Sequence, residues 1–455
     1  CTLVARAGLL CFGPATTGTP NMTENSDKHH AAAKELVEDL SRHLDLDASV
    51  RLWDGTLVPL GSNVKSDLAI TIASPGVISS LLRHPTLDRL IRHYAHGHVG
   101  FEGGTLIDLG TQLADGGSRK QLKKLSKRRL LSQLWPFLLA PGEKPQRSRD
   151  YSGDEGGEGR QKAENKDFIK FHYDVGNDFY NLFLDPNMQY TCAYFTDWNN
   201  TVDQAQHDKM EMICRKLRLK PGDRLLDIGC GWGGLLCYAA ENYGVQAHGI
   251  TLSEAQIEFA QNWAKQRGLS DKVTFEIRDY ADLEGTYEKI CSIGMYEAIG
   301  ISNIDLYFKS VRRVLAEDGL FLNHAISRRA KRKNRRFSAR AEQRALQKYI
   351  FPGGELDDIG HTIMAMEQAG FEIHDVEGWR EHYQLTTKIW CERLTARREE
   401  AIALVGEETY RIWVAYLAGC SLAFQRGAAR LFQTLASHNA KGASPLPPTR
   451  ADLYR

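Results

Sequence analysis

Two hydrophobic patterns divide the chain. Downstream of Pro221, short apolar runs recur between stretches of helical spacing: RLLDIGCGWGG (224–234), VQAHGITLS (245–253), KVTFEIRDY (272–280), KICSIGMYEAIG (289–300), GLFLNHAIS (319–327) and FEIHDVEG (371–378). Runs that are apolar throughout belong to strands buried on both faces. Their alternation with helices predicts a parallel sheet covered by helices on each side. Upstream, between residues 31 and 140, the pattern is mixed. An amphipathic helix over 31–44 (AAAKELVEDLSRHL) precedes short strand-like pieces, VRLWDG and DLAITIASP. One helical stretch, 77–97, then leads into VGFEGGTLIDL (99–109). Gly-rich turns between short strands predict a small α+β domain.

The connection between the two patterns is compositionally distinct. Residues 141–164 (PGEKPQRSRDYSGDEGGEGRQKAE) are rich in glycine and charge and nearly free of aliphatic side chains, which predicts a flexible linker over 141–165. Four boundaries follow, within the range expected of 455 residues: a disordered N-terminal tail over 1–30, the α+β domain over 31–140, an α/β domain over 166–440, and a C-terminal tail over 441–455. Residues 1–21 are read as lying upstream of a start at Met22.

Charge changes the picture only locally. The formal net charge of +1 gives no global attraction to nucleic acid or membrane. Residues 119–129 (RKQLKKLSKRR) hold seven basic side chains among eleven, and Leu122, Leu125, Leu130 and Leu134 follow at roughly helical spacing. That describes either a basic amphipathic helix lying on an anionic membrane or a solvated helix face. The apolar run at 412–424 is too short to span a bilayer and is expected to be a buried helix. Nine cysteines without a repeated pair spacing suit a reducing cytoplasm better than a disulfide framework or a metal site, and no metal is expected.

The candidate chemistry begins at 225–234 (LLDIGCGWGG). A buried strand runs into Asp227, and Gly229, Gly231, Gly233 and Gly234 carry the chain into a helix. Such a turn lets a ligand approach the backbone at the strand's C-terminal end. Dinucleotide and nucleoside sites share this feature, but the form D-x-G-C-G-x-G resembles class I S-adenosylmethionine methyltransferases. The next strand ends in GITLSEAQ, offering Thr251 and Gln256 where a dinucleotide enzyme typically has an acid. Asp279, after the third strand, could meet an adenine amino group or simply cap the following helix.

FHYDVGNDFY (171–180), YTCAYF (190–195), LDIGCGWGG, GITLSEAQ, GMYEAIG (294–300) and KYIFPGG (348–354) occur in that order, and WVAYLAGCSLAFQRG follows at 413–427. Together, from about residue 168 to 433, they resemble the cyclopropane fatty acid synthase family, which includes the mycolic acid cyclopropane synthases. The upstream domain is similar more loosely, chiefly in VGFEGGTLIDL. The resemblance implies a Rossmann-like class I methyltransferase domain preceded by a small α+β domain. The implied activity is transfer of a methylene from S-adenosylmethionine across the cis double bond of an unsaturated phospholipid acyl chain. By motif position it implies a bicarbonate held by the Cys192 backbone, Glu297, His324, Ile326 and Tyr383, with Tyr190 and Thr191 at the cofactor's amino-acid end. It also implies a cytoplasmic enzyme, peripheral on an anionic inner membrane face, with no nucleic-acid partner, and leaves room for a homodimer.

The reaction explains these residue types. A double bond is a weak nucleophile, so the sulfonium methyl must be held close and in line with it. Attack leaves a carbocation, which ring faces can stabilise by about 0.5–2 kcal/mol each. A base must then remove a proton so that the ring closes. Taken singly, Cys192 would be a buried small hydrophobe, Glu297 a helix-start acid, His324 a core histidine and Tyr383 a packing residue. Their joint occurrence in the expected contexts favours the functional reading. One departure from the family pattern is the strongly basic connection 327–347, with Arg328, Arg329, Lys331, Arg332, Lys333, Arg335, Arg336 and Arg340. It reads as a phosphate-reaching lid or a solvated loop. Other outcomes consistent with the motifs are a methyl-branched or methylene-bearing acyl product, an amine N-methyltransferase, and a non-catalytic lipid-binding protein.

Overall fold

The computed structural model describes residues 22–115, 125–146, 167, 172–173, 175–330, 341–439, 442, 444 and 446–454. Residues 1–21, most of the basic run at 119–129, most of the 141–165 linker and the basic stretch 331–340 lie outside the described residues. The chain forms two compact units, one of residues 1–150 with 406–422 and one of 151–405 with 423–455.

In the first unit, helix α1 (Met22–Leu44) starts nine residues before the expected Ala31, within the stretch expected to be a tail. His29 Nε2 bonds the Pro136 carbonyl at 3.2 Å and His30 pairs with Asp54, so tertiary contacts hold the early turns. Strands β1 (Ser49–Arg51), β2 (Leu57–Pro59), β3 (Ala69–Ile72) and β4 (Val99–Glu102) form a sheet in the order β2-β1-β3-β4. The single helix expected over 77–97 is two, α2 (Pro75–Arg83) and α3 (Leu87–Ala95). Pro85 breaks the run, and Thr86 caps α3 by accepting from the Arg89 amide. Helices α4 (Leu106–Asp115) and α5 (Lys127–Leu139) complete this part. Ala33, Val37, Val50, Leu68, Leu109 and Phe137 close the core.

The second unit is built on a seven-stranded sheet. Short helix α6 (Asn177–Asn181) and α7 (Val202–Leu217) precede β5 (Arg224–Ile228), α8 (Gly234–Tyr243), β6 (Gln246–Thr251), α9 (Glu254–Gln266), β7 (Val273–Ile277) and β8 (Tyr287–Ile293). Then come α10 (Ile304–Val314), β9 (Leu315–Arg328), α11 (Ala341–Tyr349), α12 (Ile359–Gln368), β10 (Phe371–Gly378), α13 (Arg380–Ala396), α14 (Arg398–Gln425) and β11 (Ala429–His438). The strand order is β10-β11-β9-β8-β5-β6-β7. Alternate residues serve opposite faces: Leu225, Leu320 and Leu322 join the layer under α7, α8 and α9, whereas Leu226, Ile228 and Phe321 join that under α10 and α12.

The all-parallel expectation needs correcting. Strands β5 to β9 pair in parallel, but β11 is antiparallel to both β9 and β10. β11, with no run of its own in the sequence reading, inserts between two strands that precede it. The residues expected as a C-terminal tail include a 3₁₀ turn, Ala451–Tyr454, with Leu453 buried. Helix α14 is interrupted at Gly406 (φ 78°), and its residues 406–422 group with the first unit. There Arg411 donates to the carbonyls of Tyr94 and Val99 at 2.6 and 2.8 Å.

Candidate active site

The site lies at the C-terminal ends of the parallel strands, where β5 has β6 on one side and β8 on the other. Such a switch in strand order opens a crevice above the sheet. A cavity there is lined by Tyr190 and Thr191, by Asp227, Gly229 and Gly231 at the end of β5 and its following turn, by Thr251 at the end of β6 with Gln256 on α9, and by Asp279 after β7. These eight are all but one of the residues predicted to meet the cofactor. The ninth, Gly233, does not line the cavity: a Cβ there would meet the Phe275 ring at 2.6 Å, so its role is close packing beneath the turn. Gly229 has φ +84°, and a Cβ would lie 2.8 Å from Met295 Cβ. A side chain there would be strained and would crowd the cavity wall.

Asp279 caps the 3₁₀ turn that follows it by accepting from the Ala281 amide at 2.9 Å, and it also lines the cavity. The Thr251 hydroxyl donates to Gln256 Oε1 at 2.9 Å, tying the cavity wall to α9. Asp227 is buried, and Oδ1 has no protein partner. Burial pushes its carboxyl up to about 7 against the opposing hydrogen bond from Cys291 and the charge of Lys209. A buried carboxylate with an unused oxygen, beside a glycine turn, is suited to the ammonium and hydroxyl groups of an amino-acid nucleoside.

Several contributors were absent from the predicted site. Lys209 on α7 is fully buried and donates to Gln189 Oε1 at 2.6 Å and Thr191 Oγ1 at 2.8 Å. Burial depresses its ammonium to about 8, opposed by the Asp185 charge. Gln206, one turn earlier, donates to the carbonyls of Gln189 and Thr191 at 3.2 and 2.8 Å. Helix α7 thus clamps the segment carrying Tyr190 and Thr191. His172, Tyr173 and Trp232 add an aromatic wall, in which Trp232 Nε1 donates to Asn177 at 2.7 Å and His172 stacks on Phe351 at 3.9 Å. The signal was present in FHYDVGNDFY and KYIFPGG, but a motif string does not say which side chains meet.

The five residues predicted to do chemistry do not line this cavity. Two of them adjoin it through chain neighbours: Thr191 lines the cavity beside Cys192, and Met295 and Ala298 line it around Glu297. Glu297 Oε1 accepts from the Ile326 amide on β9, and Oε2 is buried without a partner. Burial raises its carboxyl to about 7, against the Ile326 hydrogen bond. His324 lies two residues before Ile326 on the same strand face, nearly fully buried. Burial, with the charges of Lys209 and Lys216, holds its imidazole well below the usual range. Cys192 is also buried; its thiol donates to the Ala193 carbonyl, and burial raises its pKa. It is therefore a neutral thiol, unsuited to act as a nucleophile. Trp379 meets the His324 ring edge-on at 5.6 Å, and Tyr383 stacks on Phe424 at 4.7 Å.

Fold and cavity define a class I S-adenosylmethionine-dependent methyltransferase. A family model described as mycolic acid cyclopropane synthetase matches residues 160–434. A probable fatty acid methyltransferase of Pseudomonas putida is 38% identical over 419 residues, covering 91% of this chain and 98% of that protein. The cyclopropane-fatty-acyl-phospholipid synthase of Escherichia coli K12 is 40% identical over 268 residues, 59% of this chain and 67% of that one. Among solved structures, the mycolic acid cyclopropane synthase CmaA1 complexed with SAH and CTAB superposes with a TM-score of 0.57 at 32% identity, covering 60% of this chain and 97% of that one. The chain belongs to the cyclopropane synthase family of S-adenosylmethionine-dependent methyltransferases.

Proposed function

We propose that the chain transfers a methylene from S-adenosylmethionine across the cis double bond of an unsaturated phospholipid acyl chain, closing a cyclopropane ring. The carrying observation is a set of buried polar atoms left unpaired. Glu297 Oε2, His324 Nε2 and Trp379 Nε1 are buried without protein partners; the His324 and Trp379 rings meet edge-on, and the other Glu297 oxygen accepts from Ile326, two residues beyond His324 on β9. Brought together, an acceptor and two donors suit one small polar species that itself both donates and accepts. Bicarbonate has that donor and acceptor set. It would be held by Glu297 and His324 with the Cys192 and Ile326 backbone and Tyr383, and when bound it supplies a base.

The protein's own part is positional. Gly229, Gly231 and Asp227 orient the methyl donor, with Lys209 bracing Thr191. The aromatic rings exclude water and present π faces to a developing carbocation. Cys192, kept as a thiol, does not trap that cation.

A lipid substrate needs a route out of the bilayer, because exposing roughly eight methylenes to water would cost about 6 kcal/mol. Helix α5 supports docking on an anionic surface. Leu131, Trp135 and Leu139 are 53%, 56% and 72% exposed at successive turns of one face, and Lys127 and Arg128 stand at its N-terminal end. Among the described residues no helix is long and apolar enough to cross a membrane.

The name of the Pseudomonas relative, which matches nearly the full chain, favours a second reading in which the cation is quenched without ring closure. Lipid mass spectrometry of bacteria lacking cyclopropane lipids and expressing the full chain tests both, with Glu297→Gln as control. A gain of one CH₂ in a product that resists ozonolysis supports cyclopropanation, whereas the same gain in a product that ozone cleaves supports a methylene or unsaturated branched chain. A gain of CH₂ plus two hydrogens supports saturated methyl branching, with the cation quenched by hydride from a cellular reductant. No change in any lipid overturns both.

A further inference from the structure

A line of buried polar side chains runs behind the site and ends on His324. Lys216, on α7, is 1% exposed and donates to Gln433 Oε1 at 2.7 Å and to Glu377 Oε2. Gln433 lies on β11 directly opposite His324 on β9, and its Nε2 is 3.0 Å from His324 Nδ1. Donor and acceptor roles follow from chemistry. An ammonium only donates, so the end of the Gln433 amide facing it must be the carbonyl. The other end is then the NH₂, which also only donates, so His324 Nδ1 must accept and carries no proton. The imidazole is neutral, held so by burial and by the two nearby lysines. Its proton is therefore on Nε2, the atom buried without a protein partner.

We propose that Lys216 and Gln433 are positioning residues that lock His324 in the Nε2–H tautomer, making it an obligate hydrogen-bond donor to whatever occupies the site. Neither ring nitrogen then has a lone pair available to take a proton. The base that closes the ring must come from elsewhere in the site, a consequence that rests on the function proposed above. The tautomer itself does not rest on that reading.

The test is nitrogen-15 NMR of the full chain labelled at histidine, with His324→Gln identifying the signals. The expected spectrum has a protonated Nε2 and a bare Nδ1 from about pH 6 to 8. A protonated Nδ1 or an imidazolium overturns the assignment. In Gln433→Glu the carboxylate accepts from both Lys216 and His324, which should move the proton to Nδ1. With dioleoylphosphatidylglycerol vesicles and S-adenosylmethionine, kcat should then fall about 10- to 100-fold while KM for S-adenosylmethionine holds within about twofold. A reversed tautomer with an unchanged kcat overturns the functional role. A wild-type chain that shows the Nε2–H form yet methylates no lipid supports the tautomer lock and overturns the proposed function instead.

Discussion

Asp227 gives the sharpest quantitative expectation, because the environment that suits it to a cationic ligand should also weaken the ligand-free fold. Burial raises its carboxyl from 3.8 to about 7, with the Cys291 thiol and the Lys209 charge opposing. At 1.36 kcal/mol per pH unit that difference is about 4 kcal/mol. The folded protein keeps a proton on Asp227 that the unfolded chain has released between about pH 4 and 7. Stability therefore falls as pH rises through that window, and the full penalty is present above it. Asparagine has nearly the same shape and no charge to desolvate. Without cofactor, Asp227→Asn should match wild type near about pH 4 and exceed it by up to about 4 kcal/mol near about pH 8. Denaturant titrations of both proteins across this range would measure the gap. The same variant should bind S-adenosylmethionine about 10- to 100-fold more weakly by calorimetry, having lost a charge-assisted hydrogen bond. A stability gap that does not grow with pH would refute the argument that desolvation sets the Asp227 pKa. A variant that is less stable near about pH 8 would show that the Cys291 hydrogen bond and the Lys209 charge outweigh desolvation in the free protein.

Other outcomes follow from the same geometry. Glu297 has its carboxyl at about 7, so methyl transfer should show an acid limb near that pH as the carboxylate form is lost. Glu297→Gln should lower kcat about 100-fold and abolish the limb, checked by a pH–rate profile. Gly229→Ala, at φ +84° and 2.8 Å from Met295, should cost about 1–3 kcal/mol and raise KM for S-adenosylmethionine, checked by denaturation and kinetics. Lys209→Met should raise KM for S-adenosylmethionine more than it lowers kcat, because Lys209 acts through Gln189 and Thr191. Trp135→Ser with Leu139→Ser should weaken binding to anionic vesicles, and Lys127→Ala with Arg128→Ala should reduce its salt dependence. Sedimentation of full-length protein with vesicles reads both, and unchanged binding would eliminate α5 as the contact.

Local signals were enough for much of this protein. Short apolar runs and Gly-rich turns announced β5 to β9, and the segment FEIHDVEG marked β10. The LLDIGCGWGG turn marked the strand end at which the cavity opens, because a buried strand running through Asp227 to Gly229 has little freedom in how it turns. Pro85, which breaks 77–97 into two helices, was also legible in principle, since its effect is local. The early start of α1 was not, because Met22 to His30 is held by Pro136 and Asp54, distant in sequence.

What only the tertiary structure decided is long-range. β11 inserts between β9 and β10 although it follows both, and strand order is set by packing and hydrogen bonding across the sheet, not by periodicity within ten residues. That insertion brings Gln433 opposite His324. Together with the approach of α7, it turns Lys216, an unremarked basic residue in a helical stretch, into a buried donor. The burial that moves Asp227, Glu297 and Lys209 toward neutral pH is likewise a property of the closed fold. The sequence supplies the titratable groups; the surrounding low-dielectric packing sets which proton each one keeps.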